Sequence, residues 1–227
     1  KSRIKDLSNN KNFFFFDRNI KDLNKFNYKK KIDAIIHLAA EAGVRQSLKN
    51  PYQYIDQNIR NTISVFEFAK KNKIKKIYYA SSSSVYGDKS IYPSSEKIQI
   101  NQPISIYGLT KISNENIAHY YFKIFNINSI GFRFFTVYGP YGRPDMAIFI
   151  FIKGILDKKI LHLNNYGKNF RDFTYIDDVV KYFVDCVLKS RNKKSFYKIF
   201  NIGGESNIKL TSLVKKIETK LNLKAKI

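Results

Sequence analysis

Three absences narrow the classes of protein that this sequence of 227 residues can encode. It contains one cysteine, Cys186, which rules out a disulfide framework, and we expect a reducing compartment such as the cytoplasm. No run approaches the roughly 18 consecutive apolar residues that span a bilayer, so no membrane segment is predicted. The first residues, Lys1-Ser2-Arg3, carry neither an initiator methionine nor an apolar signal core. We therefore expect a chain cut from a longer protein.

Acidic residues are also scarce, since 18 Asp and Glu stand against 41 Lys and Arg, for a formal net charge of +23. Such a charge favours polyanionic partners, and a basic nucleic-acid-binding protein is one hypothesis. The lysines are spread along the whole chain, however, and accompany abundant Asn, Ile, Phe and Tyr, the set that an AT-rich genome encodes by default. We therefore rank this hypothesis last and expect no nucleic-acid partner.

Strand and helix patterns alternate along the chain, which indicates a parallel sheet with crossover helices. Short apolar runs predict strands buried on both faces, and apolar residues at helical spacing predict helices. The predicted strands cover residues 32–40, 76–81, 129–135, 160–163 and 199–202. The predicted helices run from about 51 to 71, 105 to 125, 146 to 156, 175 to 188 and 210 to 221, and residues 88–103 are predicted to form a loop.

This order predicts a doubly wound α/β fold, in which ligands bind beyond the carboxyl ends of the strands. Three unusual segments close predicted strands: HLAA at 37–40, SSSS at 81–84, and Phe135-Thr136. Because the carboxyl ends of parallel strands lie at one edge of a sheet, we expect these segments to meet there.

Tyr107 and Lys111 lie four residues apart in a predicted helix and so share one of its faces. An ammonium beside a phenol favours the phenolate and lowers a pKa that starts near 10. Such a tyrosine can take a proton from an alcohol while a cofactor takes the hydride. The pair alone is weak evidence in a chain with 16 Tyr, where a solvated helix face is the alternative. The preceding serine run strengthens it, because hydroxyls can hold the oxygen of a reacting alcohol or carbonyl.

Taken together, the motifs resemble the extended short-chain dehydrogenases/reductases that modify nucleotide sugars. The matching segments are HLAA at 37–40, Asn58, SSSVYG at 82–87, the Tyr107–Lys111 pair, RFFTVYGP at 133–140 and RDFTYIDD at 171–178. The resemblance covers essentially the whole chain and implies a Rossmann-like fold that binds NAD. Within the family, segments 39–47 and 134–147 are most similar to the UDP-glucuronate 4-epimerases.

The resemblance also implies a division into two parts. Residues 1–140 and 170–205 would form the NAD-binding Rossmann-like core, and residues 141–169 and 206–227 part of a smaller sugar-nucleotide-binding domain. The glycine-rich turn of the family has no counterpart, since no glycine precedes Ile32. We therefore expect a chain truncated at both ends, with an incomplete cofactor cradle and little activity as an isolated fragment.

The residues that match the family's site define the expected chemistry. Tyr107 would deprotonate the sugar C4 hydroxyl, Lys111 would bind the nicotinamide ribose and depress the pKa of Tyr107, and Ser82 aligns with the family's catalytic Ser or Thr. The expected cofactor contacts are Asp17, Leu38, Ala39, Ala40, Asn58, Ser82, Tyr107, Lys111 and Phe135. The expected substrate contacts are Ser83, Ser84, Thr136, Arg143 and Arg171, and for both arginines the alternative is a surface ion pair, such as Arg171 with Asp172.

The expected reaction converts UDP-glucuronate to UDP-galacturonate through a 4-keto intermediate. Relatives commonly dimerise through helices that correspond to 55–71 and 106–125, so a homodimer is expected, and the histidine spacing predicts no metal. Another nucleotide-sugar epimerase, a decarboxylase or a dehydratase is the alternative. A dehydratase usually has acidic residues within the segment that is all serine here at 82–84, whereas a decarboxylase uses the same substrate and stays open.

Overall fold

A computed structural model describes residues 2–28, 30–88, 93–100, 102–204 and 207–227, and it describes Ser2 and Arg3 by their backbone alone. This part of the chain contains seven strands and eight α-helices. The strands are β1 (Ile35–His37), β2 (Lys76–Ser82), β3 (Asn128–Phe134), β4 (Thr136–Tyr138), β5 (Phe170–Tyr175), β6 (Tyr197–Ile202) and β7 (Asn207–Lys209). The helices are α1 (Ser2–Ser8), α2 (Val44–Lys49), α3 (Pro51–Tyr54), α4 (Asn61–Lys71), α5 (Ile106–Phe125), α6 (Ala147–Leu156), α7 (Ile176–Ser190) and α8 (Leu210–Leu221). A π-helical segment, Ile55–Arg60, joins α3 to α4, and 3-10 turns cover Ile20–Lys25, Ser83–Tyr86 and Asn164–Gly167.

The central sheet is parallel throughout, in the order β1-β2-β3-β6. Successive side chains of β2 point to opposite faces, which places helices on both sides. Ile77 and Tyr79 pack in a core with α4 and α5, whereas Tyr78 packs with Val179 and Phe183 of α7. The predicted doubly wound α/β fold is confirmed.

A second, smaller unit adjoins the carboxyl edge of this sheet. Its strands β4 and β5 pair in parallel, and β7 joins β5 in antiparallel fashion. Its core contains Phe151 and Ile155 of α6, Phe173 of β5, and Val214 and Ile217 of α8. Because Phe135 alone separates the end of β3 at Phe134 from the start of β4 at Thr136, the smaller unit begins where the central strands end.

Most predicted elements are confirmed within two residues: strands β2, β3 and β6, and helices α5, α6, α7 and α8. The helix predicted over 51–71 is a helical run of three segments, since α3, the π-helical segment and α4 follow one another without a break. The loop predicted at 88–103 lies partly outside the described residues, at 89–92 and 101.

Two strand predictions were wrong, one in its extent and one altogether. Of residues 32–40, Ile35–His37 alone forms a strand, because β1 pairs with β2 at those three positions. Residues 160–163 form no strand, since a single bridge joins Ile160 to Lys226. The short elements α1, α2, β4, β5 and β7 were not predicted.

One buried ion pair fastens α5 to the sheet. Arg133 of β3 donates from Nε and Nη2 to the two carboxylate oxygens of Glu115, at 2.9 and 2.7 Å, and the side chains are 3% and 4% exposed. Ser81 at the end of β2 donates to the same carboxylate at 2.6 Å. The third guanidinium nitrogen donates to Tyr86 Oη at 3.0 Å, and Tyr86 in turn donates to Asn201 of β6 at 2.6 Å. Three strands and the helix that carries Tyr107 therefore share one network.

Glu115→Gln should lower the free energy of unfolding by about 3 kcal/mol or more, because it leaves the Arg133 charge buried without its counter-ion. Asp56→Asn removes the exposed pair of Asp56 with Arg60 and should cost less than about 0.5 kcal/mol. Urea unfolding followed by circular dichroism measures both. Equal costs for the two variants would contradict the importance given to the buried pair.

Candidate active site

The start of α5 brings Tyr107 against the serine-rich turn. Ser105 caps the helix, since its Oγ accepts a hydrogen bond from the Gly108 N–H at 3.0 Å. A Cβ at Gly108 would lie 2.7 Å from the carbonyl oxygen of Ser84, so only glycine allows the helix to approach the turn this closely. The sequence around Tyr107 thus sets its distance from Ser82 through one cap and one glycine.

The Tyr107 phenol lies in a mainly desolvated environment. Burial raises its pKa, while a hydrogen bond with Ser82 and the positive charge of Arg143 act in the opposite direction. Ser82 is 8% exposed and is itself hydrogen bonded to Ser84 through both the Ser84 N–H and hydroxyl, at 3.2 Å each. A serine hydroxyl and a guanidinium therefore favour the phenolate in this arrangement.

Lys111 lies one turn further along α5 and is 3% exposed. Its Nζ donates to the Ala80 carbonyl at 2.9 Å and lies 5.8 Å from the centre of the Tyr107 ring. Burial lowers the pKa of Lys111 to about 8. Lys111 was expected to lower the pKa of Tyr107. In the structure Ser82 and Arg143 lower it instead, because the Lys111 ammonium is directed at the backbone of β2.

The four serines at 81–84 divide into two groups. Ser81 points into the core and donates to Glu115, as described above. Ser82 points to the opposite face because it is the next residue of the strand, and Ser83 and Ser84 follow it in the half-buried 3-10 turn. The predicted substrate contacts Ser83 and Ser84 thus directly follow Ser82, the serine that is hydrogen bonded to Tyr107.

The segment after β1 supplies the other side of the site. We name residues 38–43 the β1 loop. Leu38, Ala39 and Ala40 are exposed at its start. Asn58 accepts from the Glu41 N–H at 2.8 Å and donates to the Glu41 carbonyl and to Thr110 Oγ1, at 3.0 Å each. Asn58, predicted as a cofactor contact, therefore uses its amide to hold the β1 loop, a role that sequence reasoning missed because it depends on the π-helical segment.

Three more predicted residues lie where the two units of the fold meet. Arg143 donates to the two carboxylate oxygens of Asp145, from Nε at 2.9 Å and from Nη2 at 2.5 Å. Its side chain is 43% exposed. Thr136 opens β4, and Phe135 just before it donates its N–H to the Ile202 carbonyl at 3.1 Å. These residues connect β3 of the central sheet to the smaller unit.

Two predicted residues are not joined to this group by any described interaction. Asp17 is exposed in an irregular segment between α1 and the turn at Ile20–Lys25. Arg171 is exposed on β5 and donates to the carbonyl of Phe170 at 3.2 Å. The alternative pairing with Asp172 is not formed, because neighbours on a strand point to opposite faces, and Asp172 accepts instead from the Gly204 N–H at 2.9 Å.

Two features are absent from the residues that the structure describes. No group of three or more His, Cys, Asp or Glu side chains is close enough together to hold a metal ion in that part of the chain. None of the described helices combines the length and apolar character needed to cross a membrane.

Comparison with known proteins places this arrangement in context. Residues 2–203 match the sequence profile of the NAD dependent epimerase/dehydratase family. An uncharacterized protein of Methanocaldococcus jannaschii is 48% identical over 223 residues, which cover 97% of this chain and 67% of that protein. UDP-glucuronate 4-epimerase 4 of Arabidopsis thaliana is 43% identical over 205 residues, which cover 85% of this chain and 47% of the plant protein. The chain thus spans from about half to about two thirds of the length of these relatives.

Among solved structures, the UDP-glucuronic acid 4-epimerase of Bacillus cereus, in complex with UDP-glucuronic acid and NAD, aligns with a TM-score of 0.90 at 36% identity. The alignment covers 99% of this chain and 71% of that one. The likeness therefore extends through both the central sheet and the smaller unit.

His37, at the end of β1, generates a prediction about pH. It is buried against Thr62, with Nε2 and Oγ1 3.2 Å apart, and burial, aided by the charge of Lys111, lowers its pKa from 6.5 to about 4. Between these two pKa values, His37 binds more protons in the unfolded chain than in the folded one. The contribution of neutral His37 to the stability of the folded state is therefore complete above about pH 6.5 and is lost as pH falls through about 4.

Between pH 7 and 4, the free energy of unfolding should therefore fall by about 3 kcal/mol more in the wild type than in His37→Gln. Thr62→Val keeps the imidazole and should keep the steep dependence, although it removes the hydrogen-bond partner. Urea titrations at several pH values measure the slopes. Parallel pH curves for the wild type and His37→Gln would contradict the assignment.

Proposed function

This chain belongs to the NAD dependent epimerase/dehydratase family, and we propose that its reaction is the NAD-dependent 4-epimerisation of a nucleotide sugar, with UDP-glucuronate as the substrate and UDP-galacturonate as the product. The observation that carries the proposal is the position of Tyr107, whose half-buried side chain places its phenol in hydrogen-bonding reach of Ser82 and under the influence of the charge of Arg143. This is the setting in which a tyrosine removes a proton from an alcohol.

Each residue of the group has a part in that proton transfer. Tyr107 takes the proton of the sugar C4 hydroxyl and later returns one to the C4 oxygen. Ser82 donates to that oxygen as it becomes a carbonyl, because its hydroxyl already lies within hydrogen-bonding reach of the phenol. The buried Ser82 and Lys111 limit the access of bulk water to the carbonyl from their side while it exists.

The residues present also fit NAD. An ammonium has three N–H donors, and the one hydrogen bond described for Lys111, to Ala80, leaves two for ribose hydroxyls. Ala39 and Ala40 are small and exposed at the end of β1, where a flat ring can approach the backbone. NAD, when bound, supplies the acceptor and donor of the C4 hydride. We assign its contacts to Leu38, Ala39, Ala40, Lys111 and Phe135, with Asn58 acting through the β1 loop and Asp17 as a more distant contact.

A uronic acid is the sugar that the substrate side suits best. The Arg143 fork already binds one carboxylate, that of Asp145, in bidentate fashion, and the same guanidinium acts electrostatically on Tyr107. A planar fork of this kind fits the C6 carboxylate of glucuronate, whereas UDP-glucose offers it a hydroxyl. Ser83, Ser84 and Thr136 would hold the sugar, and the exposed Arg171 the diphosphate. The names of the plant and bacterial relatives agree with this choice.

The test uses the protein at its full encoded length, incubated with UDP-glucuronate and catalytic NAD, with products identified by proton NMR. We expect UDP-galacturonate, and we expect Tyr107→Phe to reduce turnover by about 10²–10⁴, because the general base is lost while the fold is kept. UDP-glucose should react much more slowly. The control is Tyr78→Phe, which removes the hydroxyl of a fully buried tyrosine whose hydroxyl is bound to Ser190 instead.

The other outcomes are equally informative. Release of carbon dioxide from UDP-glucuronate would identify a decarboxylase, and preferential turnover of UDP-glucose would identify a UDP-hexose epimerase. Either would contradict the proposed substrate or product. Full activity in Tyr107→Phe would contradict the proposed mechanism itself.

We further propose that the protein is a homodimer whose interface includes α5. Leu109, Tyr120 and Ile124 are 40%, 52% and 61% exposed, and their spacing places them within one 60° sector of the helix. Ile63 of the neighbouring α4 is 40% exposed as well. An apolar stripe along two adjacent helices suits a self-complementary interface of helices packed on helices.

Replacing Tyr120 by Glu should weaken dimerisation roughly 10–100-fold, because it places an unpaired charge in that interface. Leu188→Glu introduces the same charge on α7, where Leu188 is 60% exposed, and should leave the dimer intact. Sedimentation equilibrium of the full-length protein measures both. A wild type that is monomeric at all concentrations would contradict the proposal.

A further inference from the structure

Tyr54 is the buried residue that lies between the catalytic tyrosine and the β1 loop. It is the last residue of α3 and is 1% exposed. Its ring meets the Tyr107 ring edge to face, with centroids 6.2 Å apart and an interplanar angle of 85°. Edge-to-face contacts of this kind stabilise one orientation of a ring relative to its neighbour. One side of Tyr54 thus restricts how the Tyr107 ring can lie.

The hydroxyl of Tyr54 makes its contacts with the β1 loop. Its single O–H is shared between the carbonyl oxygens of Ala42 and Gly43, which lie 3.0 Å each from Tyr54 Oη. Asn58, four residues later in the same helical run, holds both the N–H and the carbonyl of Glu41. Two side chains therefore fix the backbone of three consecutive loop residues. The loop continues back to the exposed Ala39 and Ala40, which we assign to the cofactor.

Gly43 shows how closely these parts meet. Its backbone has φ +118°, a conformation that favours glycine, and a Cβ there would lie 3.2 Å from Arg143 Nη2 and 3.6 Å from Tyr54 Oη. The Tyr54 hydroxyl, the end of the β1 loop and the substrate-side guanidinium are thus neighbours around one glycine. The charge of Arg143 lowers the pKa of Tyr54, against the larger raising effect of burial.

We propose that Tyr54 is a positioning residue with two separable parts: its ring sets the orientation of Tyr107, and its hydroxyl sets the position of the β1 loop and hence the affinity for NAD. The inference rests on the proposed function for the role of Tyr107. The loop half rests on NAD binding alone and does not require turnover.

Two substitutions separate the halves. Tyr54→Phe keeps the ring and removes the two carbonyl contacts, so the Kd for NAD should rise about fivefold to tenfold, as expected for the loss of one hydrogen-bonding group. Turnover at saturating NAD, and its pH profile, should stay within about twofold of the wild type. Tyr54→Leu removes both parts, so turnover should also fall by about 10²-fold, because the base is misplaced. Its pH profile should shift as well.

Tyr78→Phe is the matched control, since it removes the hydroxyl of another fully buried tyrosine, bonded to Ser190, away from the site. It should change neither NAD affinity nor the pH profile. NAD binding is measured by isothermal titration calorimetry on full-length protein, and thermal unfolding reports whether each variant is folded.

The results that overturn the proposal are specific. NAD affinity of Tyr54→Phe equal to that of the wild type would refute the role of the hydroxyl, whatever the enzyme's substrate. Wild-type turnover and pH profile in a folded Tyr54→Leu would refute the role of the ring. If the wild type turns over no nucleotide sugar, the proposed function fails. The role of the Tyr54 ring is then tested by absorbance titration of the Tyr107 phenol, whose signal is the difference between proteins with Tyr107 and with Tyr107→Phe. This titration is compared with and without Tyr54→Leu. An unchanged Tyr107 titration would refute the ring's role.

Discussion

The buried carboxylate of Glu115 is the interaction on which the rest of this structure depends. Its two oxygens are bound by Arg133 and Ser81, from two neighbouring strands, while its own backbone belongs to α5. A buried charge pair of this kind adds little net stability compared with apolar residues, but it tolerates very few arrangements. It therefore acts mainly on geometry. Since Tyr107 and Lys111 occupy the first turns of the same helix, a fixed orientation of α5 also fixes these two proposed site residues relative to the strand ends.

The same network extends from α5 to β6 and to the segment that follows the serine turn. Arg133 holds Tyr86, Tyr86 donates to Asn201, and Asn201 binds the segment after the serine turn through Glu96 and the carbonyl of Ser94. The β1 loop has an independent support in Tyr54 and Asn58. The site is thus framed by two polar systems, one beneath the catalytic helix and one beside it. Chemistry that needs a sugar carbon placed between a phenol and a cofactor benefits from both, because small displacements reduce the rate strongly.

How much of this was predictable differs between elements for physical reasons. Long periodic segments such as α5 and α8, and the buried runs of β2 and β3, carry their own signal and were predicted closely. The strands β4 and β7 were missed because each has three residues, and β5, with six, because it depends on pairing with distant parts of the chain, as in Arg171 opposite Ile208. At the site, the grouping of Ser82 and Tyr107 followed from motif order. The roles of Tyr54 and of the Asn58 amide did not, because they depend on how a π-helical segment meets a loop backbone.

The raised pKa of Tyr107 follows from the burial that makes the site useful. Desolvation disfavours the phenolate, yet the same exclusion of water strengthens every remaining electrostatic interaction at that position. Ser82 and Arg143 already act toward the phenolate, and Asp145 restrains Arg143 by occupying its fork. In the proposed reaction, a substrate carboxylate that competes with Asp145 would change the direction of that guanidinium as Tyr107 loses its proton. Arg143 would then couple recognition of an acidic sugar to activation of the base, a link that a neutral hexose lacks.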